Sequence, residues 1–169
     1  MRVLVLGGNG FIGSNIVTSL KTMAAEVFVG GRNLANKPNV VTVKMENMGK
    51  ADNWIPVLYD FDVVINAVGI LRERTGESYN DIHSKAPAAL AIACAKLNIR
   101  LIHISAIGLS EQAKSGFIRS KYLGEQAIIK SSANAVIVRV SLLDGQGGYG
   151  AKWFRRVAGW LPNTICDAK

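Results

Sequence analysis

The chain has 169 residues, of which 49% are hydrophobic, and carries a formal net charge of +8 at pH 7. A chain of this length predicts one domain with a proper core, and no apolar run reaches the ~18–20 residues of a membrane span. The excess of Lys and Arg suits nucleic acid, anionic lipid or a ligand with several phosphates. Because the sequence has neither a dense Lys/Arg run nor aromatic residues interleaved with basic ones, we expect no nucleic-acid partner. Because no apolar run is long enough to span a membrane, we also expect no integral membrane segment.

The two cysteines, Cys94 and Cys166, stand in no metal-ligand spacing, and Cys94 lies in an apolar helical run. We therefore expect reduced thiols and no metal site. The first predicted strand begins at residue 2, which leaves no room for a signal peptide. Together these features predict a cytoplasmic protein.

The first predicted elements are a strand, a glycine turn and a helix. Residues 3–6 form an apolar run of the kind buried on both faces of a parallel sheet, and glycines follow at every third position before a helical apolar pattern. In a dinucleotide-phosphate site these glycines permit the turn, the approach of the pyrophosphate and close helix packing. The N–H groups at the helix start then face the anion. We expect cofactor contacts here from Gly7, Asn9, Gly10, Phe11, Ile12 and Gly13.

Apolar strands and helical stretches alternate along the rest of the chain. We predict strands at residues 26–29, 40–45, 62–68, 99–105 and 135–142, and helices at residues 51–59, 78–97 and 116–131. Pro87 falls inside one predicted helix and should kink it or delay its start. The alternation predicts an α/β fold, a Rossmann-type doubly wound parallel sheet with helices on both faces. We assign residues 1–145 to this NAD(P)-binding domain.

The composition changes after this domain. Residues 144–150 form a glycine-rich loop, and residues 151–161 predict a basic amphipathic helix with an apolar side made by Trp153, Phe154, Val157, Trp160 and Leu161. Such a helix can lie on a membrane surface, but a helix of three turns more often packs on protein. We expect residues 146–169 to begin a C-terminal lobe that is cut short. The apolar side would pack against the rest of that lobe or in a homodimer.

The residue at the end of the second strand predicts the choice of cofactor. In this fold an acidic residue there bonds the ribose 2′-OH of NAD, whereas an arginine accommodates the 2′-phosphate of NADP. The strand that begins at Glu26 reaches Arg32 with no carboxylate at its carboxyl end. Arg32 could hold a phosphate by charge-assisted bonds or be a solvated loop residue. We favour NADP(H) over NAD(H).

The strand predicted at residues 62–68 should lie beside the first strand, at the switch point where such sheets bind ligands. Small residues at its end would let the cofactor ribose pass close to the backbone. The same residues also suit an ordinary core strand. We expect cofactor contacts from Asn66, Ala67, Val68 and Gly69.

The next strand ends in Ser105, and twelve residues later Phe117-Ile-Arg-Ser-Lys121 opens a helix. With the glycine turn, residues 66–72, 83–87 and 104–108, Glu125 and Arg139, this pattern resembles the short-chain dehydrogenase/reductase superfamily. The resemblance covers residues 2 to about 161. It is strongest to the extended and atypical members, which include NAD-dependent epimerase/dehydratase-like proteins and the NADP-binding accessory subunit of respiratory complex I.

The resemblance implies a catalytic site at Ser105, Lys121 and position 117. In the family a tyrosine stands four residues before the lysine, the lysine lowers its pKa and holds the nicotinamide ribose, and serine and tyrosine bind the substrate oxygen. Here the tyrosine position holds Phe117. Tyr122 points ~100° away from Lys121 around the helix and cannot substitute. The usual general acid is therefore missing.

The two histidines are weaker candidates. His103 lies within a strand and should be structural, and His83 could act as a substitute acid, although we favour a structural role for it as well. We expect a nicotinamide dinucleotide-binding protein that acts as an NADP(H)-preferring oxidoreductase or epimerase on an unknown small molecule, with a degenerate site. The alternative is a non-catalytic NADP(H)-binding structural or redox-sensing module, such as a respiratory-complex accessory or assembly protein.

Overall fold

Strands and helices alternate in the computed structural model, which describes residues 1–23, 25–32, 38–141 and 143. The strands are β1 (Arg2–Leu6), β2 (Glu26–Gly31), β3 (Val40–Thr42), β4 (Val63–Asn66), β5 (Arg100–Ala106) and β6 (Ala135–Val140). The helices are α1 (Phe11–Lys21), α2 (Ala51–Leu58), α3 (Ala86–Leu97) and α4 (Gly116–Lys130), with a 3-10 turn at Met45–Asn47 and a π-helical segment at Asn80–Lys85.

All six strands pair in parallel, in the order β3-β2-β1-β4-β5-β6. The order reverses between β1 and β4, whose ends stay paired, and the chain leaves the two strands towards opposite faces of the sheet, which creates the crevice in which such sheets bind ligands. The prediction of a doubly wound, Rossmann-type parallel sheet is confirmed.

Two apolar clusters hold helices on opposite faces of the sheet. Leu4 and Leu6 of β1 face the cluster that contains Trp54 and Leu90, whereas Val3 of the same strand faces the cluster under α1. Because successive side chains of a strand point to opposite faces, a strand covered on both sides is apolar throughout. Burial of each large aliphatic side chain stabilises the fold by roughly 1.5–3 kcal/mol. This packing fixes the strand ends at which the site is built.

Two predicted elements differ in the structure. The strand predicted at residues 40–45 ends at Thr42 and gives way to the 3-10 turn. The helix predicted at residues 78–97 is π-helical until Lys85, and the α-helix begins at Ala86. Pro87 explains the second difference, since it has no N–H for the carbonyl of His83 and its ring would crowd that carbonyl in an α-helix. The predicted delay at Pro87 is confirmed.

The carbonyl of His83, four residues before Pro87, lies against α4. A Cβ added at Gly124 would overlap the carbonyl oxygen of His83. Glycine at this position therefore lets α4 approach the π-helical segment closely. This approach brings the helix that carries Phe117 and Lys121 next to His83.

Several predictions lie outside the described residues. They are the end of the last predicted strand at Leu142, the predicted start of a C-terminal lobe at 146–169, and the apolar helix side formed by Trp153, Phe154, Val157, Trp160 and Leu161. Across the part of the chain that is described, no helix combines the length and apolar character needed to cross a membrane.

Candidate functional site

The turn between β1 and α1 has the geometry of a phosphate-binding turn. Gly7 has a φ of 74°, a left-handed conformation that glycine adopts without strain. A Cβ at Gly13 would overlap the carbonyl oxygen of Gly7, so the third glycine is needed for close packing within the protein. A Cβ at Gly10 would meet only that same oxygen, at 3.2 Å. The protein itself therefore leaves the space in front of Gly10 open, as the approach of a ligand requires.

The start of α1 provides donors for an anion. No side chain caps the helix, and its first turn contains no acidic residue. The first N–H groups of a helix have no intrahelical acceptor, and the helix dipole favours negative charge there. Among the predicted contacts, those of Phe11, Ile12 and Gly13 would therefore be made by backbone groups of this first turn.

Two cavities flank this turn and share part of their walls. One, of about 530 Å³, lies on the β2 side and includes Asn9, Arg32 and Arg74 in its lining. The other, also about 530 Å³, lies on the β5 side and includes Ser105, Phe117 and Lys121. Both are lined by Gly10 and by residues 67–70. The structure thus forms a crevice with two halves across the switch point.

The end of β4 separates these halves. Ala67, Val68 and Gly69, from which we predict cofactor contacts, line both cavities. The side chain of Asn66 is fully buried and lines neither cavity. Its amide donates to Nδ1 of His103 at 3.2 Å and accepts the N–H of Val68 at 3.1 Å. Asn66 therefore positions the loop and does not itself face the crevice.

Arg32 lies at the mouth of the β2-side cavity, as predicted, but it is not alone there. Its guanidinium forms an ion pair with the carboxylate of Glu77, which comes from the loop between β4 and the π-helical segment. The end of β2 itself has no carboxylate, yet the fold brings one to it. The sequence contains no local signal for this pair, because 45 positions separate the two residues.

The three predicted catalytic residues, Ser105, Phe117 and Lys121, come together in the β5-side cavity. Lys121 donates to the carbonyl of Ile104 at 3.5 Å, and its Nζ lies 5.9 Å from the centre of the Phe117 ring. Burial lowers the pKa of Lys121, and the charge of Glu125 opposes this effect.

Glu125 organises the other side of this cavity. Its buried carboxylate accepts the hydroxyl of Ser105 at 2.7 Å and two nitrogens of Arg139 at 2.5 and 3.0 Å. Burial would raise the pKa of Glu125, but the hydrogen bonds from Arg139 and Ser105 outweigh it and leave the pKa lowered. The sequence pattern contained Glu125 and Arg139 but did not indicate that they hold Ser105.

Aromatic rings surround the position at which the family has its tyrosine. The Phe117 ring packs edge-on against His83 and Tyr79, with ring centres 5.2 and 6.0 Å apart. Sequence reasoning missed Tyr79, whose hydroxyl donates to the carbonyl of Leu71 at 2.8 Å. Phe117 thus keeps the packing of an aromatic residue and has no hydroxyl to offer.

His83 is not placed as a substitute acid. Its Nε2 accepts the N–H of Ile70 at 3.0 Å, so the proton resides on Nδ1, which donates to Ser120 at 3.1 Å. Burial lowers the pKa of His83 to about 3, and the charges of Lys121 and His103 add to the effect. Burial, with a further effect of Lys121, likewise lowers the pKa of His103 to about 4. Both histidines are structural and neutral, which agrees with the interpretation favoured for them.

Comparison with known proteins shows which family has this arrangement. A family model described as "NAD dependent epimerase/dehydratase family" matches residues 3–166. The chain is 26% identical over 156 residues to the mitochondrial NADH dehydrogenase [ubiquinone] 1 alpha subcomplex subunit 9 of Arabidopsis thaliana, covering 83% of this chain and 38% of that protein. It is also 26% identical over 149 residues to the ceramide reductase of Caulobacter vibrioides, covering 86% of this chain and 47% of that enzyme.

Solved structures share the fold at lower identity. The Bordetella bronchiseptica enzyme WbmH in complex with NAD+ superposes with a TM-score of 0.73 and 19% identity over 94% of this chain and 63% of its own. The dTDP-4-dehydrorhamnose reductase of Bacillus anthracis in complex with NADP gives a TM-score of 0.69 and 18% identity over 95% and 61%.

The chain spans less than half the length of the two curated relatives named above. The family match nonetheless covers the glycine turn, the end of β4 and the Ser105–Lys121 cavity together. By this match and this geometry, the chain belongs to the NAD dependent epimerase/dehydratase family.

Proposed function

We propose that this protein binds a nicotinamide dinucleotide, NADP(H) in preference to NAD(H), at a site that lacks the tyrosine-dependent proton transfer of its superfamily. The observation that carries the proposal is the continuous crevice from Arg32, past the open Gly10, to Lys121. Relatives of the same fold are solved with NAD+ or NADP bound. A bound cofactor of this class would supply or accept a hydride.

The residues present fit such a cofactor. The first turn of α1 would hold the pyrophosphate through backbone N–H groups. The backbone at Ala67, Val68 and Gly69 would face the nicotinamide ribose, with Lys121 beside Gly69, where its Nζ lies 4.0 Å from the position of an added Cβ. Arg32 would receive the 2′-phosphate, because its planar guanidinium binds phosphate through paired, charge-assisted hydrogen bonds.

Arg32→Asp tests the cofactor preference. We expect wild-type protein to bind NADPH at least tenfold more tightly than NADH, since a charge-assisted contact contributes about 1.5–3 kcal/mol. The substitution should abolish or reverse that preference in titration calorimetry. Arg100→Asp makes the same charge change at the amino end of β5, away from the crevice, and should leave the preference intact. Equal affinities that Arg32→Asp does not alter would refute the NADP(H) preference.

The inference that the usual hydroxyl donors are missing rests on four side chains. Phe117 has no acidic group. The Ser105 hydroxyl donates its hydrogen bond to Glu125, and Nδ1–H of His83 donates to Ser120. The Tyr79 hydroxyl donates to a backbone carbonyl. The geometry therefore favours a structural or redox-sensing module that binds NADP(H) without this chemistry. The likeness to a complex I subunit supports the same function.

The second candidate function is an oxidoreductase or epimerase that acts on a small carbonyl or alcohol. Lys121 favours it, because its ammonium lies in the cavity and burial lowers its pKa. The likeness to a ceramide reductase also favours it. Turnover of a panel of aldehydes, ketones and sugar nucleotides that disappears with Lys121→Ala would support the enzyme over the module. For either function we propose a location in the cytoplasm and no nucleic-acid partner.

A further inference from the structure

We propose that Glu77 holds the place of the cofactor's 2′-phosphate on Arg32, and that this internal competitor sets how strongly the protein discriminates NADP(H) from NAD(H). The inference rests on the proposed role of Arg32 as the phosphate ligand. It assigns a specificity-determining function to a residue in a loop far from β2 in the sequence.

The ion pair lies where two cavities meet. Arg32 and Arg74 line both the β2-side cavity and a neighbouring cavity of about 640 Å³, whereas Glu77 lines only the neighbouring one. The Glu77 side chain is 14% exposed and that of Arg32 is 47% exposed. The carboxylate is therefore largely covered, while part of the guanidinium still faces solvent at the cavity mouth.

The loop that carries Glu77 is held by its own hydrogen bonds. Arg74 and Glu77 exchange two backbone hydrogen bonds of 3.1 and 2.8 Å across a tight turn in which Gly76 has a φ of 81°. Downstream, the N–H of Tyr79 donates to Glu73 at 2.7 Å and the Tyr79 hydroxyl to Leu71 at 2.8 Å. These bonds place Glu77 before any cofactor arrives, so little additional ordering is required for its contact with Arg32.

The charges then distinguish the two cofactors. Arg32, Arg72 and Arg74 surround the neighbouring cavity, and Glu77 is the acidic residue that lines it. A phosphate dianion that approaches Arg32 must displace the Glu77 carboxylate or lie close to it, and like charges at close range repel. NAD(H) has a neutral hydroxyl at the same position, which the Glu77 carboxylate does not repel. Glu77 thus lowers the affinity for NADP(H) but not for NAD(H), and so reduces the preference for NADP(H) over NAD(H) that Arg32 creates.

Glu77→Gln tests this inference, because it removes the charge and keeps the size of the side chain. We expect about two- to fivefold tighter binding of NADPH, the range for losing a partly exposed opposing charge, and no measurable change for NADH. Glu73→Gln is the matched control, since it removes a charge from the same loop and keeps an amide oxygen for the N–H of Tyr79. It should alter neither affinity.

The outcomes separate the two proposals. In an Arg32→Asp background, Glu77→Gln should have a smaller selective effect, because the competition for the guanidinium is gone and only the repulsion between the two negative charges remains. If Arg32→Asp removes the preference but Glu77→Gln leaves NADPH binding unchanged, this inference is wrong and the proposed function stands. Weaker binding of both cofactors would show that Glu77 clamps the loop, and weaker binding of NADH alone would show that it bonds the 2′-OH. If Arg32→Asp changes nothing, both proposals fail.

Discussion

The hydroxyl of Ser105 donates its hydrogen bond to Glu125, with 2.7 Å between Oγ and Oε2. Ser105 lies near the end of β5, and Glu125 lies on α4 one turn after Lys121. Because the proton of the hydroxyl is directed to the buried carboxylate, Ser105 offers only lone pairs to a ligand in the cavity. A substrate alcohol could donate to it, whereas a carbonyl oxygen would find no donor there. If Ser105 and position 117 form the catalytic site as proposed, a carbonyl substrate would find neither of the usual hydrogen donors there.

Glu125→Gln should destabilise the protein and leave cofactor binding in place. The change removes the charge that neutralises Arg139 and replaces an acceptor of several hydrogen bonds. We expect a loss of about 1–3 kcal/mol in the free energy of unfolding, less than for a fully buried pair because the Arg139 side chain is half exposed. Urea unfolding at pH 7 measures it.

A double-mutant cycle with Arg139→Gln tests whether Glu125 stabilises the fold through Arg139. If the two residues stabilise the fold through each other, the double variant should lose less than the sum of the single losses. Strictly additive losses would mean that Glu125 acts through some other contact.

The two buried histidines predict a loss of stability in mild acid. Folding lowers the pKa of His83 to about 3 and that of His103 to about 4, both from a usual value near 6.5. The unfolded chain therefore binds more protons below pH 6.5, so the stability is complete above that pH and declines as the pH falls towards 4. Between pH 7.5 and 5.5 we expect the free energy of unfolding to drop by up to about 2.7 kcal/mol, roughly half from each histidine.

Urea unfolding at the two pH values tests this decline, and His83→Gln is the informative variant. Its amide can still accept a hydrogen bond but does not titrate, so the drop should fall to about half. The window lies above the range in which carboxylates protonate. An unchanged stability between pH 7.5 and 5.5 in wild-type protein would contradict the buried, neutral state of both histidines.

Gly10→Val should remove cofactor binding from a folded protein. Gly10 has a φ of −77°, which any residue can adopt, and an added Cβ would meet only the carbonyl oxygen of Gly7. The valine side chain would occupy the space that the pyrophosphate needs. We expect a nearly unchanged circular dichroism spectrum, a modest fall in the unfolding midpoint because valine is less favourable than glycine at the N-cap of α1, and no heat of NADPH binding.

Gly13→Val distinguishes loss of the ligand from loss of the fold. Its Cβ would overlap the carbonyl oxygen of Gly7 within the protein, so it should lower stability by about 1–3 kcal/mol whether or not cofactor is present. Cofactor binding retained by folded Gly10→Val protein would show that the nucleotide binds elsewhere.

The alternation of strands and helices could be read from the sequence because each element carries its own periodicity. The glycine turn, the Lys121 helix and the end of β4 were placed at one crevice because parallel strands end at the same edge. Pro87 predicted a break in its helix, since the missing N–H is a local property. These features depend on residues close together in the chain.

The remaining features depend on contacts between distant residues. Nothing near Arg32 indicates Glu77, because the loop that carries it crosses from β4 to the end of β2. The burial of Asn66 could not be foreseen either, since it depends on His103 of the adjacent strand. Sequence periodicity specifies which residues belong to the site, and tertiary packing decides which atoms they present.

Phe117→Tyr asks whether the catalytic site has only lost its acid. The change adds one hydroxyl in the cavity that Ser105 and Lys121 already line. Lys121 lies one helical turn further on, with its Nζ 5.9 Å from the ring centre, so its positive charge would favour the phenolate. Loss of one general acid typically reduces a rate about 10²–10⁴-fold, and its restoration should recover part of that factor. We expect measurable NADPH oxidation with the panel of carbonyl compounds, and unchanged affinity for NADPH. Lys121→Met in the same variant should abolish the gain. Brisk turnover by the unaltered protein, insensitive to Lys121→Ala and Ser105→Ala, would place the reaction at a different site.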